Sequence, residues 1–197
     1  MDADPDNDDA REAINRSHAM LAKDPGAAIA DLEAWADRGS VLAMAHLAGV
    51  YYAGKHVQRD FRQANSWYRR AELSGWPEAS FMTGLTAMQL GEEEAAFAAY
   101  SRGARLDHLP SIYRLAIMYG DGTGTEEDPV AYRSLLERGA AMGHMYSRRD
   151  LGLAYLKEGS GLSLMRGLAM IAGVYLSALG IAARGIATGR EIDDRLR

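Results

Sequence analysis

The chain has 197 residues, of which 48% are apolar, enough for one compact domain or a short repeat array. A net charge of −5 provides no broad basic surface and argues against a nucleic-acid partner. The absence of cysteine excludes disulfides, thiolate zinc sites and cysteine nucleophiles.

Residues 1–9 form an acidic segment that contains five aspartates and no apolar run. This composition differs from a secretory signal, which needs an apolar stretch after a basic start. Nothing in the segment can be buried, so we expect residues 1–9 to be disordered. We also expect a cytoplasmic protein. Most of the basic residues are arginines, and the chain is also rich in alanine. This composition is typical of a bacterial source.

An internal repeat organises residues 10–160. Residues that match at an offset of 68 are Leu47 and Leu115, Tyr51 and Tyr119, Gly54 and Gly122, Asp60 and Asp128, and Gly75 and Gly143. A third unit lies between these two, with a connecting loop that is four residues shorter, and weaker units precede and follow. The repeat units therefore end at Gly39, Gly75, Asp107 and Gly143.

Each repeat unit is predicted to form two antiparallel helices. The first helix of the second unit has the spacing of one helical face at Ala43, Leu47, Val50 and Tyr51. An aspartate in a capping position opens the second helix of three units, at Asp24, Asp60 and Asp128. Pro77 and Pro110 open first helices. Because one pair cannot bury its apolar face alone, we predict an all-α solenoid of about five stacked helix pairs.

The repeated residues resemble the Sel-like repeat family, a relative of the tetratricopeptide repeats. The second unit carries the family pattern at Leu47, Tyr51, Gly54, Asp60, Ala64, Trp67, Tyr68, Ala71 and Gly75. It departs from the pattern at Ala48 and His56, where glycine is usual. The resemblance covers about residues 10–160. It implies a right-handed α-α superhelix whose concave face assembles protein complexes, and it implies no catalytic residues.

The loop from Gly120 to Asp128 is the stretch that comes nearest to a ligand site. An EF-hand needs glycine at its sixth position and glutamate at its twelfth, and this loop has Glu126 and Tyr132 there. The loop also lacks the Gly-Lys-Ser/Thr of a phosphate loop, and no histidines have metal-ligand spacing. We therefore predict a chain with no enzymatic activity, cofactor or metal.

Candidate partner-binding residues are tyrosines that lie off the repeat pattern, because tyrosine is enriched at protein interfaces. They are Tyr52, Tyr113, Tyr132 and Tyr146. Arginines that recur near unit ends, including Arg148 and Arg149, fit either a solvated helix face or a surface for an acidic partner. We predict a non-catalytic scaffold or adaptor that binds a protein or peptide in a concave groove. A regulator and a toxin-immunity protein both fit this prediction.

Residues 161–197 are predicted to form a closing hydrophobic helix and a polar C-terminal end. Residues 167–183 carry no charge, and a helix of that length spans about 26 Å, the short limit for crossing a bilayer. Ala169, Gly173 and Ser177 form a row of small residues that suits packing in a membrane. A helix between two neighbours is also apolar all round, and we expect this buried arrangement. The alternatives are a membrane-associated scaffold anchored by residues 167–183, or a homo-oligomer formed through this helix.

Overall fold

The computed structural model describes residues 6–76 and 78–187, with side chains described as far as Gly180. Ten α-helices and no strands occur in these ranges. The helices are α1 (Asp8–Met20), α2 (Pro25–Asp37), α3 (Val41–Ala53), α4 (Phe61–Leu73), α5 (Ala79–Leu90), α6 (Glu93–Arg105), α7 (Leu109–Asp121), α8 (Pro129–Ala141), α9 (Met145–Glu158) and α10 (Gly161–Ala187). They follow one another as five pairs, so the predicted all-α repeat solenoid is confirmed.

The helices belong to two compact units, Met1–Glu127 and Asp128–Arg197. In the first unit, a second helix packs against its own first helix and against the first helix of the next pair. Thus α4 contacts both α3 and α5, and α6 contacts both α5 and α7. In the second unit, α9 packs against α8 and α10. The boundary between the two units falls inside the fourth repeat. The sequence analysis instead predicted one repeat solenoid over residues 10–160, followed by a closing segment.

Aspartate side chains begin the second helices as predicted. Asp24, Asp60 and Asp128 each accept backbone N–H groups from the first turn of α2, α4 and α8. Pro110 lies in the first turn of α7, also as predicted, whereas Pro77 lies outside the described residues. These caps satisfy donors that have no partner inside the helix, which fixes where each helix starts.

The predicted unit ends coincide with residues of positive φ. The angles are 95° at Gly39, 94° at Gly75, 56° at Asp107 and 90° at Gly143. Asp107 is the one non-glycine residue with positive φ in the described part of the chain. A left-handed residue ends the helix and turns the chain back, so these four positions set the length of each repeat.

Small residues allow the helices of the first unit to approach closely. Ala64, Ala71 and Ala96 are fully buried, and the large ring of Tyr100 fills the wider gap between helices. A Cβ atom added at Gly84 would lie 2.6 Å from Cε1 of Tyr100. One added at Gly103 would lie 2.3 Å from Oγ of Ser111. The core of this unit therefore depends on the absence of a side chain at two helical positions.

The prediction that residues 1–9 are disordered is wrong for residues 6–9. Asn7 accepts the N–H of Ala10 and caps α1, which begins at Asp8. The carboxylate of Asp6 accepts a hydrogen bond from the hydroxyl of Ser40 and another, 3.1 Å long, from the N–H of Val41. The acidic residues are ordered because they face the positively polarised starts of α1 and α3. Residues 1–5 lie outside the described residues.

The last helix is long and mostly uncovered. Its 27 residues pack one face on α9, and only 6% of its most apolar window is buried. The sequence analysis expected a buried closing helix, whereas the described part of α10 is mostly exposed and packs mainly on α9 within the second unit. Large apolar side chains are exposed at Leu162, Leu164, Met165, Leu168, Tyr175, Leu176 and Leu179. By length and composition alone, Gly161–Gly180 could cross a membrane.

Candidate partner-binding surface

Two clefts lie beside α9 in the second unit. The first, about 550 Å³, is lined by Tyr132, Asp150, Leu153, Ala154, Leu156 and Lys157. The second, about 300 Å³, lies between α9 and α10, and its lining includes Met145, Tyr146, Arg149, Leu153 and Val174. Leu153 lines both clefts, so they adjoin each other. We call the two clefts together the α9 surface.

The α9 surface is shaped by the close crossing of α9 and α10. A Cβ added at Gly167 would lie 2.7 Å from the carbonyl oxygen of Gly152, so the two helices meet almost backbone to backbone. Leu156 of α9 packs at this crossing, with its Cδ2 2.9 Å from the position of a Cβ at Gly167, whereas Tyr146 and Leu153 lie beside it. Tyr146 is 47% exposed and Leu153 is 46% exposed, and both stand at the clefts. An apolar, partly exposed patch beside a cleft suits the side chains of another protein.

The start of α9 is held by a histidine cap. His144 accepts the backbone N–H of Ser147 at Nδ1, over 3.3 Å, and the same nitrogen lies 2.9 Å from Oγ of Ser147. In the first unit, Nδ1 of His108 lies 2.9 Å from Oγ of Ser111 at the start of α7. Burial lowers the pKa of both histidines, and the neutral imidazole accepts the hydrogen bond. The His144 side chain thus caps the first turn of α9, whereas His108 contacts the side chain of Ser111 and makes no capping bond to the backbone of α7.

Two opposite charges at the α9 surface, those of Arg149 and Asp150, offset each other. The guanidinium of Arg149 lies 5.3 Å from the ring centre of Tyr146, and its Nε donates to Asp150 over 2.7 Å. Burial first, and then the charge of Asp150, raises the pKa of Tyr132. The hydroxyl of Tyr132 therefore remains a hydrogen-bond donor at neutral pH. The surface combines apolar contact area with a few oriented polar groups.

Three of the six residues predicted from sequence come together at the α9 surface: Tyr132, Tyr146 and Arg149. Arg148 points elsewhere, because its Nη2 lies 3.0 Å from where a Cβ of Gly173 would stand. In the first unit, Tyr52 is half-buried beside the core, with its ring 5.5 Å from that of Phe61. Tyr113 is half-buried on α7. A role of these six residues in partner binding stays a prediction.

A row of apolar side chains on the first helices of the first unit was missed in the sequence analysis. The helices α5 and α7 touch each other, and they carry half-buried Phe81 and Leu85 on α5, and Tyr113 and Ile117 on α7. Phe81 matches Tyr113, and Leu85 matches Ile117, at a spacing of 32 residues, which is also the spacing between the unit ends at Gly75 and Asp107. Extending that spacing beyond the consensus positions would have found the row.

Arginines near the unit ends join helices within the first unit. Arg102 donates to both carboxylate oxygens of Glu72, over 2.6 and 3.1 Å. Arg70 donates to Asp37 over 3.0 Å and stacks 4.5 Å from the ring centre of Trp67. These pairs favour an intrachain role for the two arginines over the binding of an acidic partner.

The glycine-rich loop before α8 serves the packing of its own unit. A Cβ at Gly124 would lie 2.4 Å from the carbonyl oxygen of Glu93, so the loop backbone rests on the start of α6. The carboxylate of Asp121 accepts the N–H of Thr123, which turns this acid inward to its own loop. Among the described residues, no group of three or more histidine, aspartate or glutamate side chains could hold a metal ion.

The Sel1 repeat model matches residues 41–75, which form α3 and α4, and residues 109–144, which contain α7 and α8. The second and fourth units of the chain are therefore Sel1 repeats. The resemblance inferred from the second and fourth units is thereby confirmed. Proteins with Sel1 repeats are generally scaffolds for protein–protein interaction and are typically non-catalytic.

Two solved structures show the same fold as this chain. A Sel1 repeat protein from Oxalobacter formigenes is 24% identical, with a TM-score of 0.66, and the match covers 87% of this chain and 76% of that one. A protective antigen of uropathogenic Escherichia coli strains, described as displaying an SLR fold, is 19% identical with the same TM-score of 0.66. That match covers 82% of this chain but 38% of the antigen's length. No curated protein matches the chain in sequence.

Proposed function

We propose that this Sel-like repeat protein is a non-catalytic adaptor that holds a partner protein or peptide on the α9 surface. The observation that supports this function is the pair of adjoining clefts beside Leu153, with Tyr146 and Tyr132 at their walls. Scaffolding is the general role of the family. In this proposal the protein works in the bacterial cytoplasm, where the adaptor would serve as a regulator or as the immunity partner of a toxin.

The chemistry of the surface specifies the ligand. Both clefts accept apolar side chains, and Leu153 between them would pack against the backbone or side chains of the bound segment. Tyr132 offers a hydroxyl, Arg149 pairs with Asp150, and Lys157 supplies one cation at the first cleft. Binding energy in such a surface concentrates in a few buried aromatic and arginine side chains. The expected partner is therefore a mainly apolar segment, such as one face of a helix.

Binding assays with defined partners test the proposal, and proteins encoded beside its gene are the first to try. The variant is Tyr132→Ala with Tyr146→Ala, and the control is Val130→Ala, which removes a side chain that is 79% exposed in the same unit. We expect the double variant to bind at least about tenfold more weakly, since an interface anchor contributes about 2 kcal/mol or more. Equal affinity of all three proteins would show that the partner binds elsewhere.

The second candidate is a membrane-associated scaffold anchored by residues 167–183. It is supported by the exposed apolar surface of α10 and by the length of Gly161–Gly180. Fractionation of cells that express the full chain tests it. Recovery of the whole population in the soluble fraction, without detergent, would eliminate the anchor.

A further inference from the structure

The exposed side of α10 carries an ordered apolar seam. We define the seam as Leu162, Met165, Ala169, Ala172, Leu176 and Leu179. The spacings between successive members are three, four, three, four and three residues, which is the heptad pattern of two packed helices. All six residues are exposed, and the four large ones are 64–70% exposed. Nothing within the second unit covers them.

The seam lies opposite the face that α10 uses to bind α9. A Cβ added at Gly152 of α9 would come within 3.0–3.4 Å of atoms of Ile171, Gly167 and Met170, so these residues face α9. In heptad terms they occupy positions on the far side of the helix from the seam. A second helix can therefore pack along the seam while α9 stays in place.

The seam is symmetric about its own centre, between residues 170 and 171. Reading outward, Ala169 matches Ala172, Met165 matches Leu176, and Leu162 matches Leu179. When two copies lie antiparallel around a two-fold axis, each member of the seam meets its match on the other copy. Alanines then meet at the axis, where the helices approach most closely, and large side chains meet at both ends. A self-complementary surface of this kind fits a second copy of the same helix.

Arg166 does not oppose the antiparallel pairing. It is the one charged residue from Gly161 to Gly180, and it lies beside the seam rather than in it. In the antiparallel pair the two Arg166 side chains are separated by nine residues along the helix, about 13 Å.

A second copy fits the seam better than a bilayer does. The guanidinium of Arg148, on α9, lies beside Gly173 near the middle of the apolar stretch. If α10 spanned a membrane with α9 attached, this charge would enter the hydrocarbon region at high cost. Pairing along the opposite face leaves Arg148 where it is.

We propose that α10 pairs antiparallel with α10 of a second copy, around a two-fold axis between residues 170 and 171. The pairing uses the seam and leaves the α9 surface available, so it stands independently of the partner proposed above.

Sedimentation equilibrium of the full chain, without detergent, tests the pairing. We expect twice the 21.4 kDa mass of one chain for the wild type. Leu176→Glu should weaken the dimer at least about tenfold, because it places a charge in the apolar contact. The control Val130→Glu adds the same charge at an exposed site of α8 and should remain dimeric. Circular dichroism would check that both variants keep their helices.

Three results would overturn the proposal. The first is a wild-type chain that has the mass of one copy at every concentration. The second is a chain of single-copy mass that associates with phosphatidylethanolamine–phosphatidylglycerol vesicles, which would assign the seam to a bilayer. Equal loss of the dimer in Val130→Glu would likewise show that the seam is not the contact.

Cysteine cross-linking tests the orientation, because the natural chain has no cysteine. The Leu162→Cys variant, the Leu179→Cys variant and a mixture of the two are each oxidised. The antiparallel pair predicts disulfides in the mixture and little cross-linking of either variant alone. Efficient cross-linking of each variant with itself would contradict the symmetric seam and indicate parallel helices.

Discussion

The helices α6 and α10 occupy the same place in their repeats, yet they differ in what surrounds them. The helix α6 has a neighbour on each side, α5 and α7, and buries five residues that include Tyr100 and Gly103. The helix α10 packs mainly on α9 within its unit, and Gly167 is its one buried residue among those described from Gly161 to Gly180. Both helices are built from alanine, glycine and large apolar residues. The comparison shows that an apolar helix needs other helices or molecules packed against it, but that its composition does not determine which ones.

The largest expected effect contrasts one tyrosine from each helix. Tyr100 is 1% exposed on α6, whereas Tyr175 is 67% exposed on α10. We expect Tyr100→Ala to lower the free energy of unfolding by about 3–5 kcal/mol, because it leaves a cavity between packed helices. Tyr175→Ala should change it by no more than about 0.5 kcal/mol. Urea denaturation followed by circular dichroism measures both. Similar losses would mean that α10 is covered as fully as α6.

Substitution of two helical glycines by alanine tests how closely the helices of the first unit pack. Gly103→Ala places a Cβ against Ser111 and should cost about 1–3 kcal/mol. Gly49 is also helical, but a Cβ there meets no atom within 4 Å. Gly49→Ala should therefore raise the free energy of unfolding by as much as about 1 kcal/mol, through better helix propensity. The opposite signs are the prediction, and denaturant titration checks them. A loss at both positions would mean that propensity and packing are not separable here.

The ion pair between Glu72 and Arg102 joins helices α4 and α6 across one repeat. Burial favours a raised pKa for Glu72, but hydrogen bonds from Arg102 and Ser80 outweigh it and hold the pKa below its ordinary value. Glu72→Gln should cost about 1 kcal/mol at pH 7, since it weakens bonds to a charged acceptor. The difference from wild type should shrink as the pH falls through the pKa of the folded carboxyl, because protonation removes the same charge. Unfolding curves at pH 7 and pH 3 would show whether it does.

The smallest expected effect is a loss of stability in mild acid. Burial lowers the pKa of His46, His108 and His144 below 6.5, and the charge of His18 lowers that of His46 further. The unfolded chain binds these protons first, so stability should fall as the pH drops below about 6.5 and level off below the folded pKa values. His144→Asn keeps a capping side chain and should reduce this loss. A pH titration of thermal unfolding with an unchanged slope in the variant would argue against the cap.

Local features of this fold could be predicted from the sequence. The aspartate caps at Asp60 and Asp128 and the turns at Gly39 and Gly75 depend on residues within a few positions of each other. A capping side chain or a positive φ is set by that short stretch of chain. The repeat offset then placed the matching features in the other units.

Contacts between distant residues could not be predicted in the same way. Glu72 and Arg102 are 30 residues apart, and Asp6 and Ser40 are 34 apart. Whether an acidic tail is free or caps a distant helix depends on which helix start lies beside it after folding. For the candidate site, tyrosine content indicated Tyr132 and Tyr146, but the clefts beside Leu153 arise from the crossing of Gly152 and Gly167, which no local pattern announces.

The last two helices differ in length, and this difference makes association of α10 measurable by amide exchange. The helix α9 has 14 residues and α10 has 27, and the two run antiparallel from the turn at Gly159, so about half of α10 extends past its companion. A helical segment of that size is only marginally stable in water when nothing lies along it. Amide deuterium uptake should therefore be slow from residue 163 to residue 174 and fast from residue 175 to residue 187 in dilute solution. If deuterium uptake in this second half of α10 becomes slower as the protein concentration rises, another molecule packs along it.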